Sequence, residues 1–393
     1  MKIAINAVSA KMGGAVSYLR NLLRHLPSPE SGYGFFVFLP DETAKLLRDI
    51  RGDIKLCVVP SKDTGGWRRL RWEQVTLRRF LRTEKIDALF STANFAMLRC
   101  PVKQTLLVRN ALYFSKTYRQ MFLGTHGWRY RAAFALRRWM ILQSVRSADL
   151  VMTPTQAMLD ELAQFTKLAR RKTLVNYYGA GRQDATSQGF SVPSAAAQSG
   201  VIRLIYISLY SEHKNLSTLL KAMPLLNRNG AAKFVLKTTV HPGWEGAAWT
   251  VTHKDDIMLA RQPDVAPCVE FLGPLGRKEI QDLYREGDLF VFPSLCESFG
   301  QPMVEAMAHG LPIVAADTPV NREISGEAAI YFSPGSPEDL AEKVLVLGRD
   351  QALRQKLSIA GQRRAETYFR WEYHVDRLLK AVENPVSHRA GSA

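Results

Sequence analysis

Residues 288–317 read DLFVFPSLCESFGQPMVEAMAHGLPIVAAD. Two apolar runs, 288–294 and 311–317, each have the length of a buried strand. Between them, GQPMVEAMAHG (300–310) carries helix formers, with Pro302 in the first turn, where a missing N–H costs nothing. Strand, helix and strand in this order, with both strands apolar throughout, indicate a parallel sheet covered on both faces.

The same alternation extends outward. IRLIYIS (202–208), AKFVLKTTV (232–240), VEFLGPL (269–275) and AAIYFSP (328–334) read as strands. NLSTLLKAMPLL (215–226) and RKEIQDLYREG (277–287) read as helices, and residues 337–383 close the chain as helices. The first half repeats the scheme. KIAIN (2–6), YGFFVFLP (33–40), KLCVVP (55–60), IDALFST (86–92), QTLLVRN (104–110), ADLVMTP (148–154) and RKTLVNYYG (171–179) are strand runs. AVSYLRNLLRHL (15–26) places Val16, Leu19, Leu22, Leu23 and Leu26 at helical spacing. AGRQDATSQGFSVPSAAAQSG (180–200) has no apolar period and reads as a connection. The expected architecture is therefore α/β: two Rossmann-like, doubly wound domains facing a central cleft, where ligands meet the carboxyl ends of strands. With 393 residues, two domains are also what length predicts.

Charge divides the chain. Residues 1–180 hold 30 Lys+Arg against 12 Asp+Glu, whereas 181–393 hold 23 against 24. The cationic half would attract phosphorylated substrates, an anionic membrane surface or nucleic acid, or it is simply a solvated basic surface. The four cysteines (57, 100, 268 and 296) lack metal or disulfide spacing and read as thiols in a reducing compartment. The N-terminus begins a strand at once, without a signal-peptide core. No run of about 18 apolar residues would span a membrane. A cytoplasmic protein is expected.

Three clusters could carry chemistry. Glu297 would sit at the exit of a strand, and Glu305 on the helix that follows. The amides of Phe299, Gly300 and Gln301 at that helix start suit a phosphate or sugar hydroxyl, and Gly300 lets a ligand approach. A carboxylate such as Glu305 suits a vicinal diol like ribose, although glutamates near helix starts are also common without a ligand. In SLYSEHKNLSTLL (208–220), Lys214 stands at a helix start with Asn215 as the cap. A cation there is misplaced unless an anion joins it, and a solvated loop lysine is the plainer reading. Gly13 and Gly14, between the first strand and first helix, allow backbone to approach an anion. They do not form GxGxxG, so a nicotinamide or flavin fingerprint is unsupported.

Together, the Glu297/Glu305 pair within CESFGQPMVEAMAHGLPIVAAD, the lysine of EHKN and the early Gly-Gly resemble retaining glycosyltransferases of family 4, with the GT-B fold. The resemblance spans nearly the whole chain and is strongest over 202–335. It implies a first domain (1–180) that binds the acceptor, a linker (181–200) and a nucleotide-sugar domain (201–365). A C-terminal helix and tail (366–393) would cross back to the first domain. It also implies that Glu297 positions the donor sugar, Glu305 binds the ribose, Lys214 holds the diphosphate with Gly13 and Gly14 beside it, and EFLGPL, with Leu272, lines the base pocket. No metal or other cofactor is implied, consistent with the lack of a DxD carboxylate pair.

The pattern departs from the family twice. Leu209 stands near the place of a common arginine. Arg109-Asn110 stands where many members have histidine, so Arg109 is a candidate phosphate-binding group rather than a base. The expected function is transfer of a sugar, mannose being favoured, from a nucleotide sugar to a glycan or lipid-linked acceptor in cell-surface polysaccharide synthesis. The partner set is then a nucleotide sugar, that acceptor and an anionic membrane surface at the inner face of the cytoplasmic membrane, without nucleic acid. WRRLRWEQVTLRRFLR (67–82) and WRYRAAFALRRWMILQSVR (128–146) mix Arg with Trp and Leu in the manner of membrane-surface segments, or of Arg stems lying over a core. The alternatives are a GT-B epimerase or phosphorylase, and a non-catalytic basic membrane- or nucleic-acid-binding protein. The second leaves Glu297, Glu305 and Lys214 without a joint explanation.

Overall fold

The computed structural model describes residues 1–11, 13–47, 49–169, 172–180, 200–228, 232–240 and 250–383. The chain forms two compact units. One gathers Met1–Phe114, Ala132–Gly179 and the chain from Arg370 on; the other gathers Ser115–Arg131 and Ala180–Phe369. Residues 115–131, assigned from sequence to the first domain, thus belong to the second unit. The connection expected at 181–200 lies outside the described residues except for Gly200.

The first unit is built on seven strands: β1 (Lys2–Asn6), β2 (Gly34–Pro40), β3 (Lys55–Val59), β4 (Ala88–Ser91), β5 (Lys103–Leu107), β6 (Leu150–Thr153) and β7 (Thr173–Val175). Their order is β3-β2-β1-β4-β5-β6-β7, and every pairing is parallel. The helix Gly14–His25 buries Val16, Leu19, Leu22 and Leu23, as its apolar period predicts. One core cluster joins Ala4, Phe36, Phe38, Leu77, Leu81 and Leu89; another joins Leu106, Phe114, Ile141, Val145, Val151 and Leu162. The terminal helix Trp371–Glu383 belongs to this unit and buries Trp371, His374, Val375, Leu378 and Val382. Gly179 makes its approach possible: a Cβ there would lie 2.4 Å from the Trp371 backbone nitrogen.

The second unit holds six strands: β8 (Val201–Tyr206), β9 (Lys233–Thr238), β10 (Val269–Phe271), β11 (Leu289–Phe292), β12 (Ile313–Ala316) and β13 (Ala329–Phe332). Their order is β10-β9-β8-β11-β12-β13, again all parallel. The central strands β11 and β12 are buried along their full length, which explains their unbroken apolar sequence. In both sheets the connection reverses direction beside the first strand, between β1 and β4 and between β8 and β11. Ligands of doubly wound sheets bind outside the carboxyl ends of strands at such a reversal.

Candidate active site

The reversal in the second sheet brings two loops side by side, one leaving β8 and one leaving β11. The first carries Lys214 and the second Glu297. Lys214 Nζ donates to Glu297 Oε1, with side-chain exposures of 20% and 11%. The two loops are stitched together behind this pair. The His213 carbonyl accepts from Leu295 N at 2.9 Å and Ser294 Oγ at 3.4 Å, while Asn215 Nδ2 donates to the Pro293 carbonyl at 3.2 Å. Tyr206, on β8, donates its hydroxyl to the Lys214 carbonyl at 2.7 Å. Burial pushes the Tyr206 phenol up, so it stays a donor. Burial, and then the neighbouring Lys214 charge, push His213 well below the usual imidazole range, leaving that ring neutral.

The local conformation differs from the sequence expectation at one residue. Glu212–Lys214 form a 3-10 turn, and the helix starts only at Leu216. Asn215 occupies the cap position, but in the left-handed region (φ +57°), and its side chain caps no helix amide. Its amide group bonds instead to Pro293 O and Thr218 Oγ1. The oxygen that would have capped the helix is thus taken by the Thr218 hydroxyl of the helix's first turn, while Nδ2 ties the two loops together.

Glu305 lies half-buried on the helix Gln301–Ala308. Tyr284 Oη donates to its Oε2 at 3.2 Å and Gln301 Nε2 to its Oε1 at 3.3 Å. Burial raises the Glu305 carboxyl above the usual range, and the two hydrogen bonds only partly offset this. Gly300 opens the helix at φ +82°, and a Cβ there would come within 2.6 Å of Met303 Cε. The left-handed backbone is what favours glycine here, since the end of the Met303 side chain could shift to admit a methyl group. The Phe299 ring is core, edge-on to Phe369 at 5.7 Å. Leu272, just past β10, donates its amide to Thr238 O at 2.8 Å, and Gly273 at φ +72° then turns the chain.

The other predicted residues lie in the first unit. Gly13 adopts φ +57° before the helix Gly14–His25. A Cβ on Gly14 would stand 3.8 Å from Arg109 Nη2, so the guanidinium lies beside this helix start, over the Tyr18 ring at 5.1 Å. Asn94 fixes the approach of Arg109, its Oδ1 accepting from the Arg109 and Asn110 amides at 2.9 and 3.2 Å. A cation, a helix N-terminus and a bare backbone thus share one place in this unit.

Sequence reasoning passed over several residues at these two strand reversals. Glu212, two positions before Lys214, is 2% exposed and fully engaged. Tyr284 supports Glu305 from 21 positions away. In the first unit a π turn, Trp72–Leu77, buries Glu73, whose Oε1 accepts from Asn6 Nδ2 and Arg69 Nε, both at 2.9 Å. The buried Glu73 in an otherwise basic segment was the one local signal available; the others depend on tertiary placement.

Comparison with known proteins agrees with this layout. The Glycosyltransferase Family 4 model matches residues 12–180, and the Glycosyl transferases group 1 model matches 202–350. The chain belongs to glycosyltransferase family 4. It is 27% identical over 181 residues to the O-antigen chain mannosyltransferase B of Escherichia coli, a match covering 46% of this chain and 45% of that protein. It is 35% identical over 117 residues to mannosylfructose-phosphate synthase of Agrobacterium fabrum, covering 29% and 26%. In both cases the match spans less than half of the relative's length. HepE of Anabaena, solved with UDP-glucose, superposes with a TM-score of 0.72 at 18% identity, covering 98% of this chain and 100% of that one. Its likeness establishes the GT-B fold.

Proposed function

We propose that the protein is a retaining glycosyltransferase that uses a nucleoside-diphosphate sugar and no metal ion. The observation that carries this reading is the Lys214–Glu297 pair at the β8/β11 reversal. An ammonium held there by a carboxylate is a ready partner for a diphosphate, which would exchange one anion for another at the same cation. Lys214 then stabilises the charge that develops on the departing diphosphate, and Glu297 orients the donor sugar. Glu305, with Tyr284 behind it, takes the ribose diol. The backbone from Phe299 to Gln301 meets phosphate or sugar hydroxyls, and Leu272 lines the base pocket. Gly13, Gly14 and Arg109 offer a second phosphate-binding place in the first unit.

In the reaction, an acceptor hydroxyl oxygen bonds to the anomeric carbon as the bond from that carbon to the diphosphate oxygen breaks. The proton of the hydroxyl passes to the leaving diphosphate on the same face of the sugar, so configuration is retained. Mannose is the favoured sugar, since the two relatives compared by sequence above carry mannose in their names, although HepE was solved with UDP-glucose. The acceptor is a glycan or lipid-linked glycan of the cell surface. Among the described residues no helix is long and apolar enough to cross a membrane. Trp67, Trp128 and Trp139 are 75%, 73% and 57% exposed in segments rich in arginine, which supports peripheral binding to the inner face of an anionic membrane.

Thermal shift against UDP, GDP, ADP, TDP and their sugars, with and without EDTA, tests the reading. A ligand that binds only the folded state raises the melting temperature. One nucleotide should do so, unaffected by EDTA, and the shift should shrink sharply, with residual binding left, in Lys214→Ala and Glu305→Ala. No shift from any nucleotide would favour the non-catalytic alternative, and loss of the shift on adding EDTA would overturn metal independence.

A further inference from the structure

Glu212 is a buried carboxylate on which three donors converge, and the mechanism above makes no use of it. Its Oε1 accepts from Tyr118 Oη at 2.6 Å and lies 2.8 Å from His126 Nε2; its Oε2 accepts from Val251 N at 3.1 Å. Both side-chain partners come from the Ser115–Arg131 segment, which belongs to the second unit although it lies among first-unit residues in sequence. That segment is itself braced. Ser115 Oγ accepts from Tyr118 N at 3.2 Å, the Tyr118 and Tyr130 hydroxyls are 2.9 Å apart, and the His126 ring stacks on Tyr130 at 4.0 Å. Burial, and then the bond to Glu212, push the Tyr118 phenol up and keep it a donor.

Glu212 is the first residue of the 3-10 turn that ends in Lys214. The turn is closed by two backbone bonds, Lys214 N to Ser211 O at 2.9 Å and Asn215 N to Glu212 O at 3.1 Å, so a displacement at 212 is passed directly to 214. Its other flank is also fixed from outside: Tyr210 Oη donates to Asp256 Oδ2 at 2.5 Å, and Ser217 Oγ donates to Asp256 Oδ1. The need for such fixation follows from the chain itself. Between β8 and the helix that starts at Leu216, Lys214 is the one Lys or Arg. One ammonium is left in this loop to meet the diphosphate, and its position must be held by its supports.

We propose that Glu212 is a positioning residue for Lys214, and that the Ser115–Arg131 segment is the arm that holds it. This rests on the diphosphate-binding role assigned to Lys214 above. The donor site then depends on two halves of the sequence: the β8 loop supplies the cation, and an arm that begins six residues after Arg109 sets where the cation sits.

A double-mutant cycle on the full chain tests this, with calorimetric titration of UDP, GDP, ADP and TDP. Lys214→Ala, Glu212→Gln and Tyr118→Phe are each measured alone, and the last two also in the Lys214→Ala background. Glu212→Gln sets an amide N–H against existing donors, and Tyr118→Phe removes one donor and leaves Glu212 in place, so either reads the clamp if the other folds poorly. With Lys214 present, each should weaken the bound nucleotide on the order of tenfold; with Lys214→Ala, by less than about twofold, since the effect passes through the lysine. Equal weakening in both backgrounds, or none in either, would show that Glu212 only supports the fold and would overturn the proposal. Absence of nucleotide binding by the unaltered protein would instead sink the diphosphate reading, and the proposal with it.

Discussion

Lowering the pH from about 7 to about 5 should loosen the terminal helix of the first unit, with His374 setting the size of the effect. The ring is 1% exposed. Its Nδ1 lies 3.0 Å from the Tyr177 carbonyl, which can only accept, so Nδ1 carries the proton and Nε2 accepts from Tyr18 Oη at 3.0 Å. Burial is the main cause that lowers the imidazole from 6.5 to about 4, with the Arg377 charge acting in the same direction. Nothing in this pocket welcomes a second ring proton. Tyr18 is held well above its usual value by burial, and the Tyr18, Tyr178 and Trp371 rings pack around the imidazole.

The sign follows from proton counts. Below about 6.5 the unfolded chain binds a proton at His374, and the folded chain does not until about 4. Stability from this group is therefore complete above the unfolded value and is lost as pH falls towards the folded one. The full span corresponds to about 3 kcal/mol, and the interval from pH 7 to 5 to about 2 kcal/mol. Hydrogen exchange of the Trp371–Glu383 amides, corrected for intrinsic rates, reads this locally, which suits a chain of two units. His374→Gln keeps a donor for Tyr177 O and cannot titrate. It should be less stable at pH 7, yet lose about 2 kcal/mol less than the unaltered protein between pH 7 and 5. Parallel pH dependences in the two proteins would refute a buried, neutral His374.

Three more outcomes can be checked. Gly300→Ala places a side chain on a left-handed backbone, and should cost roughly 1–2 kcal/mol by denaturant titration. Glu305→Gln should raise the melting temperature of the ligand-free protein at neutral pH: the carboxyl is raised in the folded state, so its contribution is lost as pH rises through the folded value. The same variant should bind nucleotide more weakly by calorimetry, and a fall in stability would show that the carboxylate is structurally required. Trp67→Ser, Trp128→Ser and Trp139→Ser together should reduce co-sedimentation with liposomes containing anionic lipid, which should also weaken with salt; unchanged binding would exclude these faces.

The thirteen strands among the described residues were legible in sequence, most plainly central ones such as β11 and β12, which are buried along their length and apolar throughout, while edge strands such as β3 and β10 are only partly buried. The observed strands are shorter where punctuation cuts them: VEFLGPL yields only Val269–Phe271, since Gly273 turns at φ +72° and Pro274 has no N–H for a ladder. Local pattern failed where the chain serves distant partners. The π turn at Trp72–Leu77 leaves no periodic trace, and the helix His253–Ala260 presents acidic residues in its first turn with one of them, Asp256, buried against Tyr210 and Ser217. Asn215 shows the conflict most directly. Its residue type predicts a cap, but the Thr218 hydroxyl on the helix itself takes its side-chain oxygen in place of a helix amide, and its side-chain nitrogen goes to the Pro293 carbonyl.

The same division runs through the site. Lys214, Glu297 and Glu305 were singled out from sequence because residue type and the spacing set by strand, loop and helix lengths mark groups suited to a ligand. The groups that hold them in place are set by topology. Tyr118 and His126 lie 94 and 86 positions from Glu212, and no spacing rule reaches that far. A family pattern therefore records the cation and omits its support. In this chain the omission matters, because Lys214 is the one Lys or Arg between β8 and the helix that starts at Leu216. Three donors on a buried carboxylate two residues away restrain it at a point where the backbone turn leaves little slack.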